Sequence, residues 1–228
     1  MTESAAEQAP PCQLRHRTAL WLCARLTRLA FLVIAKVRVG EVDLRRIGGR
    51  GAIIASNHRS LLDFFVATVV FREWGLCPRT LVRSDLFTRP WLGRALRLVG
   101  AIPAGRGRGV AVTIGEAAEV LRQGGVVAMA PEGRVRASGQ SEELGDLRSG
   151  VGILGSRCGT PILVAALVNT DVAWPLDRRT PVLHLPWNRP TVTVSVRWLE
   201  VPVGAPPSEV TSQVAHALRE LVEGTTPH

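Results

Sequence analysis

Residues 53–63 read Ile-Ile-Ala-Ser-Asn-His-Arg-Ser-Leu-Leu-Asp, an apolar run that breaks at Asn57-His58 and reaches Asp63 five residues after the histidine. The first half, Ala52–Ser56, is short and β-branched enough to be a buried strand, and Leu61–Arg72 has the length and composition of a helix. Ser60-Leu61-Leu62-Asp63 is a capping-box variant, so Asp63 has a structural reading as a helix-start residue. It also has a chemical one. A histidine one turn before an aspartate can set an imidazole nitrogen on the carboxylate, which would hold the tautomer of a base that deprotonates a hydroxyl. The two roles are compatible, and the stretch by itself leaves both open.

Outward from this strand–turn–helix, the same alternation continues. Thr80–Arg83, Gly100–Pro103, Val126–Ala130, Pro161–Leu167, Pro181–Leu185 and Thr191–Trp198 read as strands. Pro90–Val99, Val110–Gln123, Gly150–Cys158 and Ser208–Glu223 read as helices, the last with Ser208 as a plausible N-cap. Strands separated by helices predict an α/β fold with a mixed, largely parallel sheet flanked by helices. Ligands of such folds gather beyond the carboxyl ends of strands, where His58 and Glu132 both fall, each directly after a strand.

The 228 residues suffice for one substantial domain, and 46% hydrophobic content allows a real core. Net charge is +9, carried by arginine with Lys36 the only lysine, which favours an anionic partner. Scattered arginines, no tyrosine and 5% aromatic residues argue against nucleic acid and for a membrane or a phosphorylated ligand. Cys12, Cys23, Cys77 and Cys158 lack metal-ligand spacing, so no metal is expected, and they fit indifferent thiols in a reducing cytosol.

Residues 1–13 read as a disordered leader and 14–36 as one long helix, followed by a single domain over 37–228. Around that helix Arg17, Arg25, Arg28 and Lys36 share about a third of the circumference. Leu22, Cys23, Leu26, Leu29, Ala30, Val33 and Ile34 fill the opposite side, while Trp21 and Leu32 sit among the basic residues. Spanning a bilayer would strand Arg25 and Arg28 near its centre, at roughly 2.5–3.5 kcal/mol each. The expected placement is therefore interfacial, apolar face inserted and arginines toward anionic headgroups. A helix packed on its own domain with a solvated basic face is the alternative.

Three further stretches carry chemistry. Pro131-Glu132-Gly133-Arg134-Val135-Arg136 follows a strand with a carboxylate, a glycine and two arginines, the groups of phosphate capture. Arg83 and Arg106 stand at strand–loop junctions from which they could converge on a phosphate. Taken in order, Asn57-His58-x4-Asp63, the basic Arg83 and Arg106 junctions, Pro131-Glu132-Gly133 and Gly159-Thr160-Pro161-Ile162 resemble the 1-acylglycerol-3-phosphate O-acyltransferase superfamily over roughly residues 37–167.

The resemblance implies a glycerolipid acyltransferase-like fold at the cytoplasmic membrane face, peripheral or monotopic. It implies transfer of an acyl group from acyl-CoA or acyl carrier protein, as donor substrate and not cofactor, to the hydroxyl of a lysophospholipid. His58 would be the general base and Asp63 its orienting partner, with no acyl-enzyme. Asn57, Ser60, Glu132, Gly133 and Pro161 match family blocks, and Arg83, Arg106, Arg134 and Arg136 are the candidate phosphate contacts. Two departures stand out. Val135 occupies the place of the family arginine linked to the acceptor phosphate, and Arg83 and Arg148 stand where lysine is usual. The acceptor class therefore stays open to another hydroxyl lipid, built on an amino acid or a glycan. A thioester or ester hydrolase is the competing chemistry, although no Gly-x-Ser-x-Gly elbow is present.

Overall fold

The computed structural model describes residues 14–105, 109–133 and 147–225. Seven strands form one sheet: β1 (Lys36–Val39), β2 (Ala52–Ser56), β3 (Arg79–Arg83), β4 (Ile102–Ala104), β5 (Val126–Met129), β6 (Ile162–Val168) and β7 (Thr191–Leu199). Their spatial order is β1-β7-β6-β2-β5-β3-β4, and every pairing is parallel except β6 with β7. β6 is buried along its whole length, which is why Ile162–Val168 reads as an unbroken apolar run and not an alternating one. The mixed, mainly parallel sheet flanked by helices is the expected architecture.

Helices cover both faces. On β2 the alternation of side chains sends Ile53 and Ala55 toward α4 (Val110–Arg122), α5 (Gly150–Cys158) and α7 (Pro207–Glu223). Ala52 and Ile54 point the other way, into a cluster with Leu20 of α1 (Leu14–Ile34) and Phe71 of α2 (Leu62–Glu73). α3 (Pro90–Leu98) and the short α6 (Thr170–Ala173) complete the set.

Helix α1 uses both of its apolar faces differently. His16, Leu20, Ala24, Thr27, Phe31 and Ile34, spaced by three and four residues, are buried, and Phe31 and Ile34 pack in one cluster with Leu62 and Val66 of α2. Leu22, Leu26, Leu29 and Val33 remain exposed. Of the apolar face expected to be open, these four side chains are exposed, whereas Ile34 turns into the core. Trp21 lies beneath two guanidinium groups, Arg17 at 4.3 Å and Arg72 at 5.4 Å from its ring centre.

Several boundaries differ from the reading above. The first helix stops at Ile34, and Lys36–Val39 becomes the edge strand β1, paired with β7. Pro181–Leu185 forms no strand, because its amides bond outside any ladder: Val182 N donates to Ala173 O at 2.9 Å and His184 N to Val33 O at 2.7 Å. α7 begins at Pro207 with Pro206 in the cap position, so Ser208 sits inside the first turn and caps nothing with its side chain. Cys23 and Cys158 are free thiols, but Cys77 is disulfide-bonded, unlike the indifferent thiols expected. The 1–13 leader lies outside the described residues.

Candidate active site

Because β2, β5, β3, β4 and β6 all run the same way, their carboxyl ends share one edge, and the residues that follow them meet there. His58 leaves β2 and Glu132 leaves β5, its immediate neighbour. The Glu132 carboxylate accepts the His58 backbone N–H at 3.1 Å, joining the two turns. Glu132 is buried.

The His58 Nδ1 lies 2.8 Å from Asp63 Oδ2. That same oxygen accepts the backbone N–H groups of Arg59 at 2.7 Å and Ser60 at 2.9 Å. With that oxygen accepting two backbone N–H groups as a carboxylate, which has no hydrogen to give, Nδ1 carries its hydrogen toward Asp63 and Nε2 is left as the lone-pair nitrogen. Nε2 has no hydrogen-bond partner among the described residues, and the imidazole is 27% exposed while Asp63 is 7% exposed. The pair is thus anchored from behind and open in front.

Its surroundings are held from distant parts of the chain. The Asn57 side-chain amide donates to Leu167 O at 2.8 Å, and its carbonyl accepts Leu167 N at 2.7 Å. This amide extends the β2–β6 ladder by one rung where the backbone has already turned away. Ser60 Oγ donates to Trp174 O at 2.6 Å and accepts Leu62 N at 3.1 Å. With Asp63 back on Ser60 N, the capping-box reading is realised alongside the histidine contact. Trp174 also stacks on Phe65 of α2, centroids 6.2 Å apart and planes 17° from parallel. Nothing local in the sequence pointed to Trp174, which is 114 residues from Ser60.

Gly133 adopts φ +67°, and a Cβ there would fall 2.4 Å from the Arg148 guanidinium nitrogen Nε. Arg148 N donates to Pro131 O at 2.8 Å. Arg83 ends β3, two strands from β2 on the same edge, but its guanidinium is forked onto Asp85 at 3.0 and 2.6 Å. This ion pair, through the hydrogen bond from Arg83 first, holds the Asp85 carboxyl below the usual range. Pro161 is not brought to the cluster. Its carbonyl accepts Ile53 N at the entry of β6, at the amino edge of the sheet. Ile53 and His58 are five positions apart in the chain, a span of up to about 16 Å at 3.3 Å per residue. Arg106, Arg134 and Arg136, with Val135, lie outside the described residues.

A family model described as Acyltransferase matches residues 36–168, from the start of β1 to the end of β6. The chain belongs to this acyltransferase family. The match takes in His58, Asp63 and Glu132 together. A Mycoplasma pneumoniae protein described as a probable 1-acyl-sn-glycerol-3-phosphate acyltransferase is 26% identical over 172 residues, 74% of this chain. The acyltransferase chain spans 61% of that relative's length. Among solved structures, the 1-acyl-sn-glycerophosphate acyltransferase PlsC from Thermotoga maritima superposes with a TM-score of 0.71 at 18% identity, covering 93% of this chain and 83% of that one. It shares the fold of the acyltransferase sheet and its helices.

Proposed function

We propose that the chain is a membrane-associated O-acyltransferase that moves a fatty acyl group from an acyl thioester, acyl-CoA or acyl carrier protein, to the hydroxyl of a lysophospholipid such as 1-acylglycerol-3-phosphate. The observation that carries this reading is the His58–Asp63 pair, bonded through Nδ1 with Nε2 facing outward at the carboxyl edge of an acyltransferase-family sheet. His58 Nε2 takes the proton of the acceptor hydroxyl as its oxygen attacks the thioester carbonyl. Asp63 stabilises the imidazolium that results. Collapse of the tetrahedral intermediate breaks the carbon–sulfur bond, and the imidazolium returns its proton to the departing thiolate. No acyl-enzyme intervenes.

Several features support an acidic lipid surface as the place of this chemistry. The chain has a net charge of +9, and α1 leaves leucines exposed between arginines. No helix among the described residues is long and apolar enough to cross a membrane, so the association proposed is peripheral, at the cytoplasmic face. Arg83 stands at the carboxyl edge, where binding of an acceptor phosphate would exchange Asp85 for the phosphate.

The test is a panel of radiolabelled acyl thioesters offered with hydroxyl lipids: lysophosphatidic acid, other lysophospholipids, and amino-acid or glycan lipids. Acyl transfer to a lipid is expected, and His58→Ala is expected to lower it by about 10²–10⁴-fold with an unchanged melting curve. Release of the acyl group to water alone would assign a hydrolase instead, and full activity in His58→Ala would remove the histidine from the mechanism.

A further inference from the structure

Segment 183–187, Leu-His-Leu-Pro-Trp, connects α6 to β7 and presents Leu183, Leu185 and Trp187 at 72%, 60% and 75% exposure. Exposure of this size in a floppy loop would mean little, but this loop is pinned. His184 N donates to Val33 O at 2.7 Å, and Arg189 Nη1 donates to Phe31 O at 2.7 Å. The segment thereby satisfies two carbonyls of the last turn of α1, which the helix itself cannot. Arg189 Nε donates back to Pro186 O and Asn188 N to Leu185 O, which closes the turn beneath Trp187. The backbone is held while its apolar side chains stay largely exposed.

These side chains join a surface already present. Leu29, Leu32 and Val33 of α1 are exposed on the helix end to which the segment is tied. That end lies at the catalytic edge. β1 follows α1 directly and pairs in register with β7, whose Thr193 is level with Val168 at the carboxyl end of β6. The opposite end of α1 sits at the amino edge, where His16 lies against Gly100. Arg25, Lys36, Arg178 and Arg179 are exposed on this side, with Asp177 the acid nearest in sequence to the last two. Exposed apolar side chains, a tryptophan among them, on two segments tied together, with exposed cations in or near the same segments, match the interface of an anionic bilayer better than a protein surface.

We propose that segment 183–187 is a second lipid-inserting element, and that together with the end of α1 it seats the carboxyl edge, with His58, on the bilayer. One helix alone would fix attachment but leave rotation about its axis free. Two contacts fix which edge of the sheet faces the lipid. The proposal rests on the membrane association put forward above, though not on acyl transfer itself.

Vesicles of phosphatidylcholine and phosphatidylglycerol in equal parts, without acyl donor, provide the test. Leu183→Gln combined with Leu185→Gln is expected to weaken cosedimentation of the full chain by about tenfold or more. Trp187 emission, isolated as the difference between the wild type and Trp187→Phe, is expected to shift to the blue and be quenched by lipids brominated on the acyl chain. Unchanged cosedimentation, or an unquenched Trp187, overturns the proposal, and the quenching decides if the double variant melts early. If the double variant instead dissolves a dimer in lipid-free sedimentation while its vesicle binding is unchanged, the patch belongs to a second copy and the proposal fails. Failure of acyl transfer in the lipid panel would remove the enzyme reading and leave this result standing.

Discussion

The Asp63 carboxylate has two duties at one oxygen, and they are separable by substitution. Oδ2 takes the Arg59 and Ser60 amides and the His58 ring, while Oδ1 is buried with no partner among the described residues. In Asp63→Asn the side-chain carbonyl, set in the place of Oδ2, still accepts the two backbone amides and the Nδ1 hydrogen, but a neutral amide no longer stabilises the imidazolium formed in turnover. Turnover is expected to fall by about 10²–10⁴-fold, with a change in KM of less than about threefold. The fold should lose only about 1–2 kcal/mol in urea denaturation, as charge-assisted bonds become neutral ones. Steady-state kinetics and urea melts on the same preparation separate the two duties. A loss of stability without a loss of turnover would leave Asp63 a cap and nothing more. The short-range half of this site was legible because His58, Ser60 and Asp63 lie within one turn of each other. The distant partners of Asn57 and Ser60, Leu167 and Trp174, were not, since a backbone carbonyl accepts without any side-chain signature.

At the scale of elements, close packing leaves marks that sequence patterning reads poorly. Gly152 of α5 lies so near α7 that an added Cβ would sit 2.0 Å from Pro207 O. Backbone cannot yield as a side-chain tip does, so Gly152→Ala is expected to cost about 1–3 kcal/mol, read as a lower thermal midpoint. An unchanged midpoint would show that α7 slides freely on α5. Helix α1 is the harder case. Its periodicity separates the leucines that are exposed, but the second stripe, with His16, Ala24 and Thr27, is too small and polar to announce a packing face. Burial, and then the nearby Arg79 charge, hold the His16 imidazole below its ordinary pKa. The unfolded chain therefore binds a proton that the folded chain resists. Stability is present in full above about pH 6.5 and is lost as pH falls from there through the lowered folded value. Denaturant melts of the wild type should weaken between pH 7.5 and 5.5 more steeply than those of His16→Gln. Equal slopes would mean that His16 contributes nothing to the acid sensitivity.

Across the whole molecule, parallel strands explain both what could be read and one residue that the structure sets apart. Residues at the ends of parallel strands share one edge, so the order of elements alone brings His58 to Glu132 and sets Arg83 on the same edge. Pro161 precedes β6 and so belongs to the opposite edge, whatever motif it completes. Pro181–Leu185 has the alternation of a strand, yet its amides are claimed by Ala173 and Val33, and its leucines face outward. Both cases show alternation and motif order describing residues without their neighbours. Charge is the remaining global property. A net +9 with exposed leucines predicts two additive parts to vesicle binding, one screened by salt and one not. The Debye length shortens from about 10 Å at 0.1 M to about 3 Å at 1 M, and each basic side chain near an anionic surface contributes about 1 kcal/mol. Three or four exposed arginines and Lys36 near the patch imply that raising salt from 0.1 to 1 M weakens binding to phosphatidylglycerol vesicles by about a hundredfold or more. Residual binding at high salt should match that to pure phosphatidylcholine, because only the apolar contacts persist. Cosedimentation across a salt series on both compositions measures this directly. Salt-independent binding to the anionic vesicles would leave the arginines without a part in docking.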